Sequence, residues 1–190
     1  MRFSTRMRVA LTSATTAAGV LVRVARRRGQ SSRRRLAPGE LAPEFALQAS
    51  DGRTYRLVDV RKSQCVVLAW FPKAFTSGCT LQCESIGAQA GRLRDLGAAV
   101  FGANMDTPET NRQFAAALGL DFPILSDPSG ATARAYGVLG PSGLPSRWTF
   151  YIGPDGRVIQ MDTAVRVSTS GTDIEQVLRQ WRQLATIETT

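Results

Sequence analysis

Apolar and polar positions along the chain predict strands that alternate with helices from residue 37 onward. Residues 65–71 form an unbroken apolar run, which is typical of a central strand buried on both faces. Six further segments have the pattern and boundaries of strands: 44–48, 53–57, 98–104, 122–125, 148–152 and 157–161. The turn residues Asp51-Gly52 and Pro154-Asp155-Gly156 join four of these segments into two predicted hairpins.

Helical periodicity predicts four helices, of which three lie between these strands and one follows the last strand. The longest is expected over residues 79–96, because apolar side chains recur there on one face: Cys79, Cys83, Ile86, Ala90 and Leu93. Thr107 and Pro108 form an N-cap followed by a first-turn proline, which predicts a helix to Leu118. A short helix is expected at 130–136. The last helix should begin at Thr172, with one apolar face: Ile174, Val177, Leu178, Trp181 and Leu184.

This order of elements indicates an α/β fold. Alternating strands and helices imply parallel crossovers, whereas a closing hairpin adds antiparallel strands. We therefore expect a mixed central sheet flanked by helices, with a β-hairpin at its amino-terminal end. This domain should occupy residues 37–190, and residues 1–36 form a separate extension.

The extension holds much of the chain's positive charge. The whole chain has 24 basic and 15 acidic residues, but ten arginines and no acidic residue lie within residues 1–35. The remainder has 14 basic and 15 acidic residues, so its net charge is −1. Arginine-rich segments can bind phosphates, but the charge of the domain itself does not indicate nucleic-acid binding.

Three interpretations of the extension stay open. Residues 9–22 have the length of a signal-peptide core or an anchor that contacts a membrane, but arginines follow directly. The arginine, serine and alanine content also fits an organelle targeting peptide. The third interpretation is a disordered tail, with Met7 as a later start. Export, membrane association and organelle targeting are thus alternatives to a cytoplasmic location.

Cysteine is the candidate for any chemistry that the domain performs. The chain has three cysteines and no histidine, which excludes Ser-His-Asp, Cys-His and His-ligated metal sites within it. Cys79 follows a buried strand and a turn rich in Pro, Lys, Thr, Ser and Gly, at the predicted start of a helix. Unpaired N–H groups and the helix dipole favour a thiolate at the start of a helix, so Cys79 is the candidate nucleophile.

Residues 72–79 match the Pro-x-x-x-Thr-x-x-Cys signature of peroxiredoxins, the alkyl hydroperoxide reductase/thiol-specific antioxidant family. Four further segments resemble the family in order and spacing: 36–52, 103–115, 122–138 and 147–158. The Phe-Pro-Lys-Ala-x-Thr stretch is most similar to the bacterioferritin-comigratory, or Q-type, branch. The resemblance covers nearly all of residues 37–185 and implies a thioredoxin-like fold.

The resemblance also implies an activity and a set of roles. Cys79 would be the peroxidatic thiolate, which reduces hydrogen peroxide or an organic hydroperoxide and becomes a sulfenic acid. Arg147 would favour the thiolate, Thr76 and the Cys79 N–H would orient the peroxide, and Pro72 would shield the sulfur. Thioredoxin or a similar thiol donor would complete the cycle. The family implies a monomer or dimer, and neither a cofactor nor a metal ion is expected.

Cys83 departs from the family pattern. The resolving cysteine of the Q-type branch often lies five residues after the peroxidatic one, where this chain has Glu84. Cys83 lies four residues after Cys79, and helix geometry puts their Cα atoms roughly 6 Å apart, within disulfide range. Cys83 therefore either resolves the sulfenic acid after the first turns unwind, or belongs to the apolar face while an external thiol resolves. Cys65 is expected in the core.

Two other classes of function are alternatives to a peroxidase. A thiol–disulfide oxidoreductase of thioredoxin fold without peroxidase activity is disfavoured, because the chain lacks a Cys-x-x-Cys pair. A non-catalytic protein whose basic arm binds nucleic acid or membranes is the second alternative.

Overall fold

A computed structural model describes residues 36–62 and 64–187 of the protein. Its strands are β1 Ala46–Gln48, β2 Thr54–Arg56, β3 Cys65–Trp70, β4 Ala98–Asn104, β5 Ile124–Ser126, β6 Thr149–Ile152 and β7 Val158–Asp162. Its helices are α1 Leu57–Val60, α2 Ser77–Gly87, α3 Ala90–Asp95, α4 Pro108–Leu118, α5 Ala131–Ala135 and α6 Ser170–Ile187. A turn of 3₁₀ helix at Val167–Thr169 leads into α6. The predicted extension, residues 1–36, lies outside this description except for its last residue.

Five strands form the central sheet in the order β5-β4-β3-β6-β7. The strands β3, β4 and β5 are parallel, whereas β6 is antiparallel to β3 and β7 is antiparallel to β6. The strands β1 and β2 pair separately as an antiparallel hairpin. The predictions of a mixed sheet and of an amino-terminal hairpin in the domain are therefore confirmed.

The side chains of β3 alternate between two apolar cores, one on each face of the sheet. Val66, Leu68 and Trp70 pack on the face covered by the β1–β2 hairpin, α1 and α5. Cys65, Val67 and Ala69 point to the other face, which α2, α3, α4 and α6 cover. All six residues of β3 are fully buried, as their unbroken apolar run predicts.

The predicted helix over 79–96 is wrong as a single element. The structure divides it into α2 and α3, with a break at Ala88 and Gln89. Gly87 directly precedes the break, and glycine is among the weakest helix formers. Ile86 before the break and Leu93 after it both pack in the same core.

The carboxyl-terminal helix also differs from the prediction. It begins at Ser170 instead of Thr172, and the 3₁₀ turn before it was not predicted. Four residues of its predicted apolar face pack on the core, but Leu184 is 64% exposed. The short helix α1 was also missed. Among the residues described, no helix is both long and apolar enough to cross a membrane.

The N-cap at Thr107 forms as its sequence predicts. Its hydroxyl accepts a hydrogen bond from the Thr110 N–H at 3.2 Å, and Pro108 occupies the first helical position. The helix α4 ends at Gly119, which adopts a left-handed conformation with φ of 58°. This helix follows β4 directly, so its start lies beside the carboxyl ends of the parallel strands.

Candidate active site

The loop between β3 and α2 carries the family-like motif and is fixed from several sides. The Phe71 N–H donates to the Ala103 carbonyl at 3.0 Å, which continues the pairing of β3 with β4. The Ala74 N–H donates to the Asp106 carboxylate at 2.7 Å. Pro72 is half-buried within this loop. The loop is thus attached to the end of the neighbouring strand before it reaches Cys79.

Asp106 is itself held by a buried network of polar side chains. The Asn104 amide donates to Asp106 at 3.0 Å and to the Asn111 amide oxygen at 2.8 Å. Asn111 in turn donates to the Ser126 hydroxyl at 2.8 Å. These contacts connect the end of β4, the helix α4 and the end of β5. The carboxylate that holds the loop is therefore itself fixed by hydrogen bonds that connect these three elements.

Phe75 is the one non-glycine residue with positive φ among the residues described, at 62°. This left-handed conformation is costly for a bulky residue, so the surrounding contacts must impose it. Its ring is 56% exposed and meets the edge of Phe114 with ring centroids 5.1 Å apart. The strain indicates that the fold dictates the conformation of the loop directly before Thr76.

Thr76 is the N-cap residue of α2, but its side chain does not cap the helix. Its hydroxyl instead donates to the Lys73 carbonyl at 3.1 Å and is exposed. The Cys79 N–H donates to the Thr76 carbonyl at 3.0 Å. A peroxide oxygen could therefore accept a hydrogen bond from this N–H only by sharing it with the Thr76 carbonyl. The helix begins at Ser77, two residues earlier than predicted, which puts Cys79 in its first turn.

Arg147 lies directly against the sulfur of Cys79. Its Nη2 donates to Cys79 Sγ at 3.3 Å, and its Nη1 donates to the Gly78 carbonyl at 3.5 Å. The Cys79 side chain is fully buried. Arg147 precedes β6, and the pairing of Trp70 N–H with the Trp148 carbonyl at 2.8 Å fixes the position of this segment beside β3. The structure thus brings together two predicted site residues separated by 68 positions.

Gln82 is a site residue that the sequence analysis missed. It is fully buried on α2, and its Oε1 accepts a hydrogen bond from Nη1 of Arg147. Its Nε2 has no hydrogen-bond partner in the structure. The predicted buried face of this helix was defined from apolar residues alone, so it did not include a glutamine. Gln82 nevertheless lies three residues after Cys79, which places the two side chains next to each other on the surface of a helix. Gln82 fixes the guanidinium whose other nitrogen meets the sulfur.

Cys83 and Cys65 are also buried, and both are free thiols, as is Cys79. Burial raises the pKa of Cys83 to about 12, with a smaller contribution from Cys79. Burial likewise raises the pKa of Cys65 to about 12. Cys83 packs in the core together with Ile86 and Leu93, a position that is compatible with either of its two predicted roles. Neither thiol is a ready nucleophile in this conformation.

The arrangement around Cys79 suits attack by sulfur on an electrophilic oxygen. A guanidinium at hydrogen-bond distance favours a thiolate and can stabilise negative charge that moves onto a leaving oxygen. No group of three or more metal-ligating side chains lies close enough to hold an ion within residues 36–62 and 64–187. The thiol of Cys79 lies in the first turn of a helix, beside an arginine, beyond the carboxyl end of β3 in a mixed sheet. Together these features define a thiol-dependent peroxidase.

Comparisons with known proteins agree with this class. The sequence model of the AhpC/TSA family matches residues 38–161. Peroxiredoxin Bcp of Escherichia coli is 32% identical over 130 residues, which cover 65% of this chain and 83% of that protein. Alkyl hydroperoxide reductase E of Mycobacterium bovis is 31% identical over 121 residues, which cover 62% and 79% respectively.

Solved structures give the same result. Peroxidoxin BcpB of Mycobacterium tuberculosis superposes with a TM-score of 0.71 at 27% identity, covering 76% of this chain and 97% of that one. The bacterioferritin comigratory protein of Xanthomonas campestris gives 0.67 at 26% identity, covering 72% and 90%. The chain belongs to the AhpC/TSA family of peroxiredoxins. The predicted thioredoxin-like fold, the Q-type resemblance and the activity of a thiol-dependent peroxidase are confirmed.

Proposed function

We propose that Cys79 is the peroxidatic residue of this peroxidase. Its thiolate attacks the terminal oxygen of the peroxide, an S–O bond forms and the O–O bond breaks. The leaving oxygen takes a proton and departs as water or an alcohol, which leaves Cys79 as a sulfenic acid. The observation that carries this proposal is the 3.3 Å contact between Arg147 Nη2 and Cys79 Sγ in the first turn of α2.

Arg147, Thr76 and Pro72 have supporting roles in the same step. Arg147 stabilises the thiolate and the charge on the leaving oxygen. The hydroxyl of Thr76, exposed beside the helix start, orients the incoming peroxide once it exchanges its bond to Lys73. Pro72 is half-buried, and its ring fixes the backbone φ, so we propose that it fixes the loop and shields the Cys79 sulfur.

We propose that Cys83 resolves the sulfenic acid. Both cysteines lie on one face of α2 and in one apolar core. The Cα atoms of residues i and i+4 are roughly 6 Å apart in a helix, within the range of a disulfide, and the sulfur atoms can meet once the first turns of α2 unwind. An external thiol then reduces the Cys79–Cys83 disulfide. Thioredoxin is the donor that we propose, because its dithiol has a low reduction potential and reduces disulfides by exchange through a mixed disulfide.

Peroxide consumption coupled to a thioredoxin system tests the peroxidatic assignment. We expect turnover with hydrogen peroxide and an alkyl hydroperoxide, and loss of both in Cys79→Ser. Cys65→Ala is the matched control, since Cys65 is equally buried but lies at the far end of β3. Unchanged turnover in Cys79→Ser would exclude the assignment, and insulin reduction without peroxide consumption would favour a thiol–disulfide oxidoreductase.

Intact-mass analysis after one equivalent of peroxide tests the role of Cys83. The wild-type protein should lose two hydrogens, and Cys83→Ser should instead gain one oxygen. A stable gain of one oxygen in the wild type would show that an external thiol resolves. Because this measurement needs no reductant, it separates resolution from the choice of donor.

The assembly and the extension require separate proposals. We propose a monomer or dimer, which light scattering of the full chain distinguishes directly. We also propose that residues 1–35, with their ten arginines, contact an anionic membrane surface. Flotation with vesicles containing phosphatidylserine should retain the full chain at low salt and release the chain that lacks residues 1–35. Equal retention of both chains would contradict this.

A further inference from the structure

The second half of α2 is attached to the start of α6 by unusually close contacts. The Ser85 hydroxyl donates to the Ser168 carbonyl at 3.2 Å and accepts from the Gly171 N–H at 3.1 Å. A Cβ atom at Gly171 would lie 2.1 Å from the Ser85 carbonyl oxygen. The two backbones therefore touch, and only glycine fits at position 171. We call Ser85 and Gly171, with these contacts, the α2–α6 clamp.

The first half of α2 is held by Arg147 instead. The guanidinium contacts the Gly78 carbonyl, the Gln82 side chain and the sulfur of Cys79. A hydrogen bond from a guanidinium to a thiolate is charge-assisted, and charge-assisted bonds are roughly twice as strong as neutral ones. A sulfenic acid carries no full charge on sulfur. Oxidation of Cys79 therefore weakens the contact that holds the first turn, whereas the clamp is unaffected.

Formation of a disulfide needs movement at one of the two cysteines. The Cβ atoms of a disulfide lie about 3.5–4.5 Å apart, which is closer than an intact helix allows for positions i and i+4. Movement of Cys83 would remove it from a core that it shares with Ile86. Cys83 also lies two residues before Ser85, in the half of α2 that the α2–α6 clamp holds. The first turn is thus the part that can move at lower cost.

We propose that Ser85 and Gly171 are positioning residues, which hold Cys83 in place while the oxidised first turn of α2 moves towards it. This rests on the proposed role of Cys83. Displacement of the first turn admits water to Cys83, whose thiol then loses its proton and attacks the sulfenic sulfur of Cys79. The S–S bond forms, the S–O bond breaks, and the leaving hydroxide with the released proton gives water.

Rapid-quench mass spectrometry of Ser85→Ala tests the proposal. The gain of one oxygen at Cys79 should keep the wild-type rate within about twofold. The following loss of water, which forms the disulfide, should slow roughly three- to tenfold, as expected for loss of one neutral hydrogen bond. Ser85→Thr keeps a hydroxyl and should restore the second rate. Thr172→Ala, an exposed position in the same helix, is the control.

This split between two chemical steps separates positioning from a general loss of structure, which would slow both steps. Equal or faster disulfide formation in Ser85→Ala would overturn the proposal. Ser85→Ala is preferred to Gly171→Ala, because a methyl group at 2.1 Å from a carbonyl oxygen endangers folding.

Hydrogen exchange of the wild-type protein gives an independent test. Oxidation should increase amide exchange over residues 77–83 and leave residues 86–90 and 170–178 unchanged. An increase that extends beyond Ser85 would overturn the proposal.

The mass measurements also separate failure of the positioning role from failure of the proposed role of Cys83. If the wild type gains a stable oxygen and forms no disulfide, Cys83 is not the resolving residue and the positioning role is excluded as well. If the disulfide forms equally fast in wild type and Ser85→Ala, only the positioning role fails.

Discussion

The two ends of β3 place the same residue type in opposite chemical situations. Cys65 begins the strand, opposite Ala98 of β4, and its sulfur makes a weak hydrogen bond of 4.0 Å to the Val66 carbonyl. Cys79 follows the other end of the strand, in the first turn of a helix, with Arg147 at 3.3 Å. Both side chains have 0% exposure. Burial is therefore common to the two thiols, and the helix start and the cation distinguish them.

The difference lies in two features that distinguish the surroundings of Cys65 from those of the nucleophile that we propose, Cys79. Burial alone disfavours the thiolate, as the pKa of about 12 at Cys65 illustrates. At the opposite end, a fixed guanidinium and the helix start supply the stabilisation that water would otherwise give. The parallel strands end on that side, so α2, the β4–α4 junction and the segment before β6 all meet there. The topology brings the cation to one end of β3 and not to the other.

The largest effect that would sharpen this contrast is expected for Cys79→Ser. A hydroxyl at this position is a far weaker nucleophile than a thiolate, so peroxide consumption should fall to the uncatalysed rate. Stopped-flow measurement with hydrogen peroxide checks this. If the variant retained more than a small part of the activity, the reactive thiol would have to be sought at Cys83 or Cys65.

The next largest effect is expected for Arg147→Lys. Lysine keeps the charge but cannot contact the sulfur, the Gly78 carbonyl and Gln82 together. The second-order rate constant with peroxide should fall about 10²–10³-fold, as for loss of one preorganised donor. Arg112→Lys, at an exposed ion pair with Glu109, should retain full activity. Similar losses in both variants would contradict a specific role for Arg147.

A smaller effect is expected for Gln82→Met, which keeps the volume of the side chain but removes the acceptor for Arg147. The rate constant should fall about 10- to 100-fold, since a hydrogen bond to a charged group contributes about 1.5–3 kcal/mol. Gln113→Met on the exposed side of α4 is the matched control. A rate within twofold of wild type would mean that Gly78 and the sulfur suffice to position the guanidinium.

Alkaline pH should lower stability through the buried thiols. The pKa of Cys65 and of Cys83 is about 12 in the folded protein, against 9.0 for an unperturbed thiol. Between these values the unfolded chain loses protons that the folded chain keeps, so stability falls as pH rises. The slope approaches about 1.4 kcal/mol per pH unit for each thiol.

Urea unfolding from pH 8 to pH 10 measures this slope. The range stops at pH 10 because burial also raises the pKa of Tyr136 and Tyr151 above 10.0, and these groups add to the slope at higher pH. A variant with both Cys65→Ala and Cys83→Ala should show a shallower dependence. An equal slope in this variant would assign the pH dependence to other groups.

The smallest effect on activity is expected for Cys65→Ala. Peroxide turnover should match the wild type, and the free energy of unfolding should fall by about 1 kcal/mol, as for removal of one buried heavy atom. Steady-state kinetics and urea unfolding of the same preparation check both expectations. A large loss of turnover would mean that the two ends of β3 are coupled, and the contrast drawn between them would fail.

The sequence was most informative where local chemistry decides the structure. The apolar run of β3, the Thr107-Pro108 cap and the turn before Cys79 each act over a few residues, and each was predicted correctly. The break between α2 and α3 and the exposure of Leu184 were not predicted, because apolar periodicity shows which face of a helix can be buried but not which of its positions meet the rest of the fold. Gln82 was missed because its partner Arg147 is 65 positions away.

The conformation of Phe75 has a consequence for how reactivity is acquired. Its left-handed backbone is stable only while Asp106 holds the preceding residue and Phe114 supports the ring. A short peptide with the sequence of residues 70–85 would relax out of this geometry, and its thiols would behave like those of any small cysteine peptide. The fast reaction that we propose for Cys79 therefore depends on tertiary structure. A chain whose sheet and helices have not yet assembled should react with peroxide no faster than a small cysteine peptide.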